Sequence, residues 1–222
     1  MSKLTAVATD VTRVFQAPGP QPNGLQATAA GLWVLDQKTN QVHLVDYGGT
    51  VVHTMATASD RGSGITDDGD GLWVASTYSC ELLRIHRVHG TTLASYPSPG
   101  AEKTGSHGLE WRAGKLWVAT PPSATVYQLD PAADCAVLHS FPAPGNRPHG
   151  IGWRGDELWV VETNQRAVTC YDPATGRVRF TLTLPDDAPE PHGMTVRLDE
   201  LWYCDAHSGA ICRLTLPALP VE

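Results

Sequence analysis

The sequence predicts an all-β protein, a five-bladed β-propeller of four-stranded blades closed by its own N-terminal strand. Three observations carry this: a motif recurring five times at blade-length intervals, four strand-like segments per repeat, and an N-terminal stretch matching the segment that the last repeat lacks. The motif is x-Gly-Leu/Ile/Met followed nine residues later by Trp. Its glycines are Gly24, Gly64, Gly108, Gly150 and Gly193, and its tryptophans are Trp33, Trp73, Trp117, Trp159 and Trp202. Successive copies lie 40, 44, 42 and 43 residues apart, the length of one propeller blade, while the Gly-to-Trp spacing never changes. Length differences are therefore confined to the outer half of each repeat.

Within a repeat, Gly150-Ile151-Gly152-Trp153 and Leu158-Trp159-Val160-Val161 flank a turn and form a hairpin. The alternating Val168-Thr169-Cys170-Tyr171 is a third strand, and Val178-Arg179-Phe180-Thr181-Leu182 is a fourth. Each blade packs between two neighbours, so both faces are apolar and the repeated Trp is core. The last copy ends after its third strand, Ile211-Cys212-Arg213-Leu214. Thr12-Arg13-Val14-Phe15-Gln16-Ala17-Pro18-Gly19 resembles the fourth strand and exit turn His139-Ser140-Phe141-Pro142-Ala143-Pro144-Gly145. The N-terminal segment thus completes the fifth blade and removes an exposed edge.

Composition agrees. The 222 residues carry 21 glycines, 17 prolines and 7 tryptophans with only 18 % charged residues, a turn-dense globular chain expected to form one domain over 1–222. A net charge of −7 without a basic run argues against nucleic acid as a partner. Residues Met1 to Val7 lack an apolar signal core, and no run is long enough to span a bilayer, so a cytoplasmic protein with no membrane partner is expected. Cys80, Cys135, Cys170, Cys204 and Cys212 show no CxxC spacing and read as buried, reduced thiols.

First strands line a propeller's channel, so the residues preceding the five glycines converge at one mouth: Asn23, Ser63, His107, His149 and His192. Twelve residues after each glycine, second strands return there with Asp36, Ser76, Thr120, Glu162 and Asp205, an outer ring of oxygen donors. Three histidines at one equivalent position suit a divalent metal with an open coordination place. Zn²⁺ fits best and Mg²⁺, Mn²⁺, Fe or Cu are compatible, with Asn23 adding an oxygen. The alternative is that each His-Gly caps a strand while water fills the channel. Glu162, Asp205 and His207 are acid–base candidates, and Tyr78, at the turn position of His207 and Asn164, offers a hydroxyl. Each is equally compatible with a solvated mouth residue or a turn cap. Arg61 and Arg147, three residues before repeat glycines, are either anion-attracting or ordinary surface residues. His86-Arg87-Val88-His89 falls at an outer turn, and Gly62-Ser63-Gly64 lacks the context of a phosphate loop.

Pro148-His149-Gly150-Ile151, Asp156-Glu157-Leu158-Trp159-Val160-Val161-Glu162-Thr163-Asn164 and Asp172-Pro173-Ala174-Thr175-Gly176 together resemble the repeat of the streptogramin (virginiamycin B) lyase family. That resemblance, covering nearly the whole chain, implies a Mg²⁺-dependent lyase using His and Glu at its mouth, in a family of seven blades where five are counted here. Pro22-Asn23-Gly24-Leu25 is more distantly similar to the metal-holding elements of regucalcin and gluconolactonase propellers. Two functions follow. One is a metal-dependent lyase or hydrolase acting on a small cyclic or ester-like carbonyl compound, the metal held by His107, His149 and His192. The other is a non-catalytic propeller binding a ligand or protein over structural histidines. Redox or dioxygen chemistry at iron or copper is a third possibility. A monomer or weak homo-oligomer with a small-molecule substrate is expected.

Overall fold

A computed structural model describes residues 6–143, 145 and 147–216. The chain opens with β1 (Ala6–Ala8) and β2 (Thr12–Gln16). Blade 1 follows as β3 (Pro22–Thr28), β4 (Gly31–Asp36), β5 (Gln41–Val45) and β6 (Val51–Ala56). Blade 2 is β7 (Gly64–Asp67), β8 (Gly71–Ser76), β9 (Glu81–His86) and β10 (Thr92–Pro97). Blade 3 is β11 (Gly108–Arg112), β12 (Lys115–Thr120), β13 (Thr125–Asp130) and β14 (Ala136–Pro142). Blade 4 is β15 (Pro148–Arg154), β16 (Glu157–Glu162), β17 (Ala167–Tyr171) and β18 (Val178–Thr183). Blade 5 consists of β19 (Met194–Arg197), β20 (Glu200–Cys204), β21 (Ala210–Thr215) and, from the other end of the chain, β2. The five sheets are antiparallel within their blades, and the expected closure is present, with Thr12 opposite Arg213 and Gln16 opposite Ala210.

One element escaped the sequence pattern. β1 adds a fifth strand, parallel to β18, with Ala6 opposite Thr181 and Ala8 opposite Thr183. Three residues are too few to show a period, so nothing in the sequence marks them as a strand. The N-terminal segment therefore ties blade 4 to blade 5 as well as closing the ring.

Five apolar clusters hold the blades together, one between each adjacent pair. Each repeat Trp faces the following blade, Trp33 toward blade 2 and Trp202 toward blade 1, and none is more than 5 % exposed. Truncating such a buried Trp to Ala costs about 3–5 kcal/mol in a typical core. The glycines account for the narrow axis. A Cβ on Gly24 would lie 2.8 Å from the Ser63 carbonyl oxygen, and one on Gly150 would lie 2.7 Å from that of His192. Gly64, Gly108 and Gly193 meet the carbonyls of His107, His149 and Asn23 in the same way. Each blade's first strand thus presses its bare backbone onto the next blade's.

The turns between second and third strands all end in a left-handed residue: Asn40 (φ 55°), Cys80 (57°), Ala124 (47°), Arg166 (48°) and Gly209 (73°). This corrects the reading of Cys80, which is half-buried in such a turn while the other four cysteines are buried; all five are free thiols. Among the described residues no helix is long and apolar enough to cross a membrane.

Candidate functional site

At the end of the channel where the first strands begin lies an open cavity of about 500 Å³. Asn23, His107, His149 and His192 line it from the axis, and Tyr78, Arg147, Asn164 and His207 from the rim. Ser63, the fifth member of the inner ring, is withdrawn from it. Its hydroxyl accepts hydrogen bonds from Gln37 Nε2 at 2.8 Å and Thr77 Oγ1 at 2.9 Å.

The imidazoles form a contiguous run. His107 Nδ1 and His149 Nε2 share a hydrogen bond of 2.9 Å, with ring planes at 88°. The rings of His149 and His192 stand edge to face at 5.3 Å, and those of His192 and His207 lie 5.6 Å apart. His149 is fully buried, and its Nδ1 has no partner among the described residues. His192 Nδ1 lies 3.2 Å from the Glu190 carbonyl oxygen and 3.5 Å from the Ala206 amide nitrogen, and its Nε2 faces the Glu190 carboxylate at 3.8 Å. Burial, then the positive charge of Arg147, pushes His107 down to about 3. Burial also holds His149 well below the usual histidine range, and lowers His192 against the opposing pull of Glu190. The axis is therefore a stack of neutral rings at pH 7.

The outer ring mainly secures its own turns. Asp36 Oδ1 accepts from the amides of Lys38 at 3.1 Å and Thr39 at 2.8 Å. Asp205 Oδ1 accepts from His207 N at 2.8 Å and Oδ2 from Ser208 Oγ at 2.7 Å. Burial works to raise the Asp205 pKa, but these bonds win and hold it below the usual range. Glu162 is 1 % exposed and lies beneath Gly145, outside the cavity lining. Tyr171 Oη donates to its Oε1 at 2.8 Å, while Oε2 is buried without a well-formed partner. Burial pushes this carboxyl up to about 7, and the Tyr171 hydroxyl and the amides of Arg147 and Gly145 only partly offset it. Of the four acid–base candidates, Tyr78 and His207 line the cavity; Glu162 and Asp205 stand behind it.

Among the described residues, one group of three places a ligand atom from each side chain within 4.8 Å of the others: Glu190, His192 and His207. Glu190 Oε2 lies 3.8 Å from His192 Nε2 and 3.4 Å from His207 Nδ1. Two imidazoles and a carboxylate form a donor set that can hold a divalent cation. Of the ligands selected from sequence, this group contains His192; His107 and His149 bond to each other, and Asn23 Oδ1 is buried without a partner among the described residues. Glu190 was missed, its only mark in the sequence being its register with Arg147. In Glu190-Pro191-His192 it occupies the position that Arg147 holds in Arg147-Pro148-His149.

No protein-family model and no curated protein matches the sequence. Solved structures do. Glutaminyl cyclase from Myxococcus xanthus superposes with a TM-score of 0.75 at 12 % identity, over 96 % of this chain and 100 % of that one. The fold is that of the streptogramin lyase-like propellers. A catalytically inactive histidine-to-alanine variant of virginiamycin B lyase from Staphylococcus aureus, solved with quinupristin, aligns over 88 % of this chain and 66 % of its own. Its TM-score is 0.59 at 18 % identity. A luciferin-regenerating enzyme gives 0.61 at 12 % identity, over 96 % and 97 % of the two chains. At these identities the likeness is one of fold.

Proposed function

We propose that the protein is a metal-assisted lyase or hydrolase acting on a small carbonyl compound, a cyclic amide, lactone or ester, seated in the mouth cavity. The observation that supports this reading most is the run of four imidazoles, buried at its centre and exposed at His207, beside a carboxylate at the edge of a small-molecule-sized cavity. Three propellers of the same fold are named for enzymatic activities, which agrees with a catalytic role.

In this reading Glu190, His192 and His207 hold the cation, Zn²⁺ by donor chemistry, with Mg²⁺, Mn²⁺, Fe or Cu as alternatives. A bound cation supplies polarisation of the substrate carbonyl. Asp205 fixes the turn that presents His207. Neutral His107, half-buried and lining the cavity, takes a proton from an acidified C–H in a lyase or from water in a hydrolase, and the buried His149 holds its ring through the 2.9 Å contact. Tyr78 stands at the rim as a hydroxyl donor to the leaving group, and Glu162 props the strand end behind the site.

Elemental analysis of untagged protein tests the metal. About one ion per chain, lost on chelation and lost in Glu190→Gln and His207→Ala but kept in Tyr78→Phe, supports the reading. Less than about 0.2 ions per chain, with no activity gained on metal addition across a panel of lactones, esters and cyclic amides, favours a non-catalytic binding propeller. Incorporation of solvent deuterium at the substrate carbon separates a lyase from a hydrolase.

A further inference from the structure

We infer that the compound bound in the mouth cavity carries a carboxylate, gripped by Arg147; this rests on the cavity being the substrate site. Six other arginines, Arg84, Arg87, Arg112, Arg154, Arg179 and Arg213, each meet a carboxylate. Arg147 does not. It is half-buried and lines the cavity, and among the described residues its guanidinium meets only the neutral Asn164 Oδ1, at 3.3 Å.

The acids behind this mouth are already engaged. Asp36 and Asp205 cap turns, and Glu162 lies buried against Tyr171. Glu190 sits with His192 and His207. Arg147 thus faces the mouth cavity with no carboxylate partner among the described residues, in a chain of net charge −7. Asn23 gives a second, independent sign of a ligand. It is 4 % exposed and lines the cavity, yet its Oδ1 has no partner among the described residues, so an N–H or O–H of the ligand is the donor it lacks.

A planar guanidinium with donors to spare matches a carboxylate in the two-pronged manner. Among the described residues it is the only arginine or lysine in the lining, and Arg61 lies over the Tyr78 ring outside it. The single guanidinium fork matches one carboxylate. The ligand class is therefore a small monocarboxylic acid that also bears the reacting carbonyl and a hydrogen-bond donor.

Calorimetry with N-acetylglycinate, which carries the carboxylate, a carbonyl and an N–H donor, and with its methyl ester, on protein stripped of metal and dialysed free of chelator, tests the inference without turnover or metal, so its result is separate from that of the metal analysis. Saturable binding of the acid, about tenfold or more tighter than the ester, is expected. Arg147→Gln should abolish that preference, Arg147→Lys should weaken it several-fold through loss of the fork, and Arg61→Gln should preserve it. Equal binding of acid and ester, unchanged affinity in Arg147→Gln, displacement by chloride as effective as by acid, or no saturable binding would each overturn it.

Discussion

His107 Nδ1 and His149 Nε2 lie 2.9 Å apart with their rings at right angles, so one proton occupies the contact and the two imidazoles cannot both be charged. The pair is a built-in acid sensitivity.

With His107 held at about 3 against an ordinary 6.5, the unfolded chain binds more protons than the folded one between those values. Stability contributed by the neutral ring is full above pH 6.5 and is lost as pH falls toward 3. Histidine-selective NMR should find His107 still neutral at pH 5, and His107→Gln should lessen the fall in Tm on acidification. A His107 midpoint near 6.5 would refute this.

Glu162 acts with the opposite sign. Its carboxyl is raised to about 7 from 4.5, so the folded state holds the extra proton in that window and stability declines as pH rises through it. Glu162→Gln keeps an acceptor for Tyr171 and removes the ionisation. Its Tm should exceed that of the wild type at pH 8 and converge with it at pH 4; parallel profiles would contradict the burial argument. Glu162→Ala, which strands the Tyr171 hydroxyl, should cost about 1–3 kcal/mol at any pH.

Ala124 adopts φ 47° at a turn position where blade 5 has Gly209. A Cβ in that conformation carries a strain of about 1–2 kcal/mol. Ala124→Gly should raise stability by about 0.5–1 kcal/mol, less than the strain because glycine also loosens the unfolded chain. Denaturant unfolding of the two proteins measures this, and a less stable variant would show that the Ala124 methyl is needed for packing.

Removing residues 1–8 takes away one short parallel strand, whereas removing 1–16 also takes the strand that closes blade 5 and bares the edge of β21. The first deletion should leave a folded monomeric ring with a modestly lower Tm. The second should give aggregates or larger species by size-exclusion chromatography. Equal behaviour of the two would mean that closure does not depend on β2.

The blade count, the closure and the Gly–Trp frame were legible because identical packing demands recur five times and leave identical residues behind. The inner ring of Asn23, His107, His149 and His192 followed from the same register. The ring contacts did not, because position along the chain says nothing about rotamers: equivalence places three histidines around one axis, yet two pair with each other and the third turns to Glu190. Ser63 shows the same limit, since its hydroxyl is taken up by Gln37 and Thr77. Glu190 was hidden because its equivalents, Gln21, Arg61, Gly105 and Arg147, share no chemistry that would mark the position.

The glycine column on the axis also governs how such a chain can grow. Because each bare Cα rests against a neighbour's carbonyl, the bore has no slack, and splicing in a sixth module would spread the hub and leave a void where backbone now meets backbone. A gene carrying one more copy of the unit would need bulkier residues at every hub site at once. Novelty is far easier to install in the rim loops, which is where neighbouring modules already differ in length.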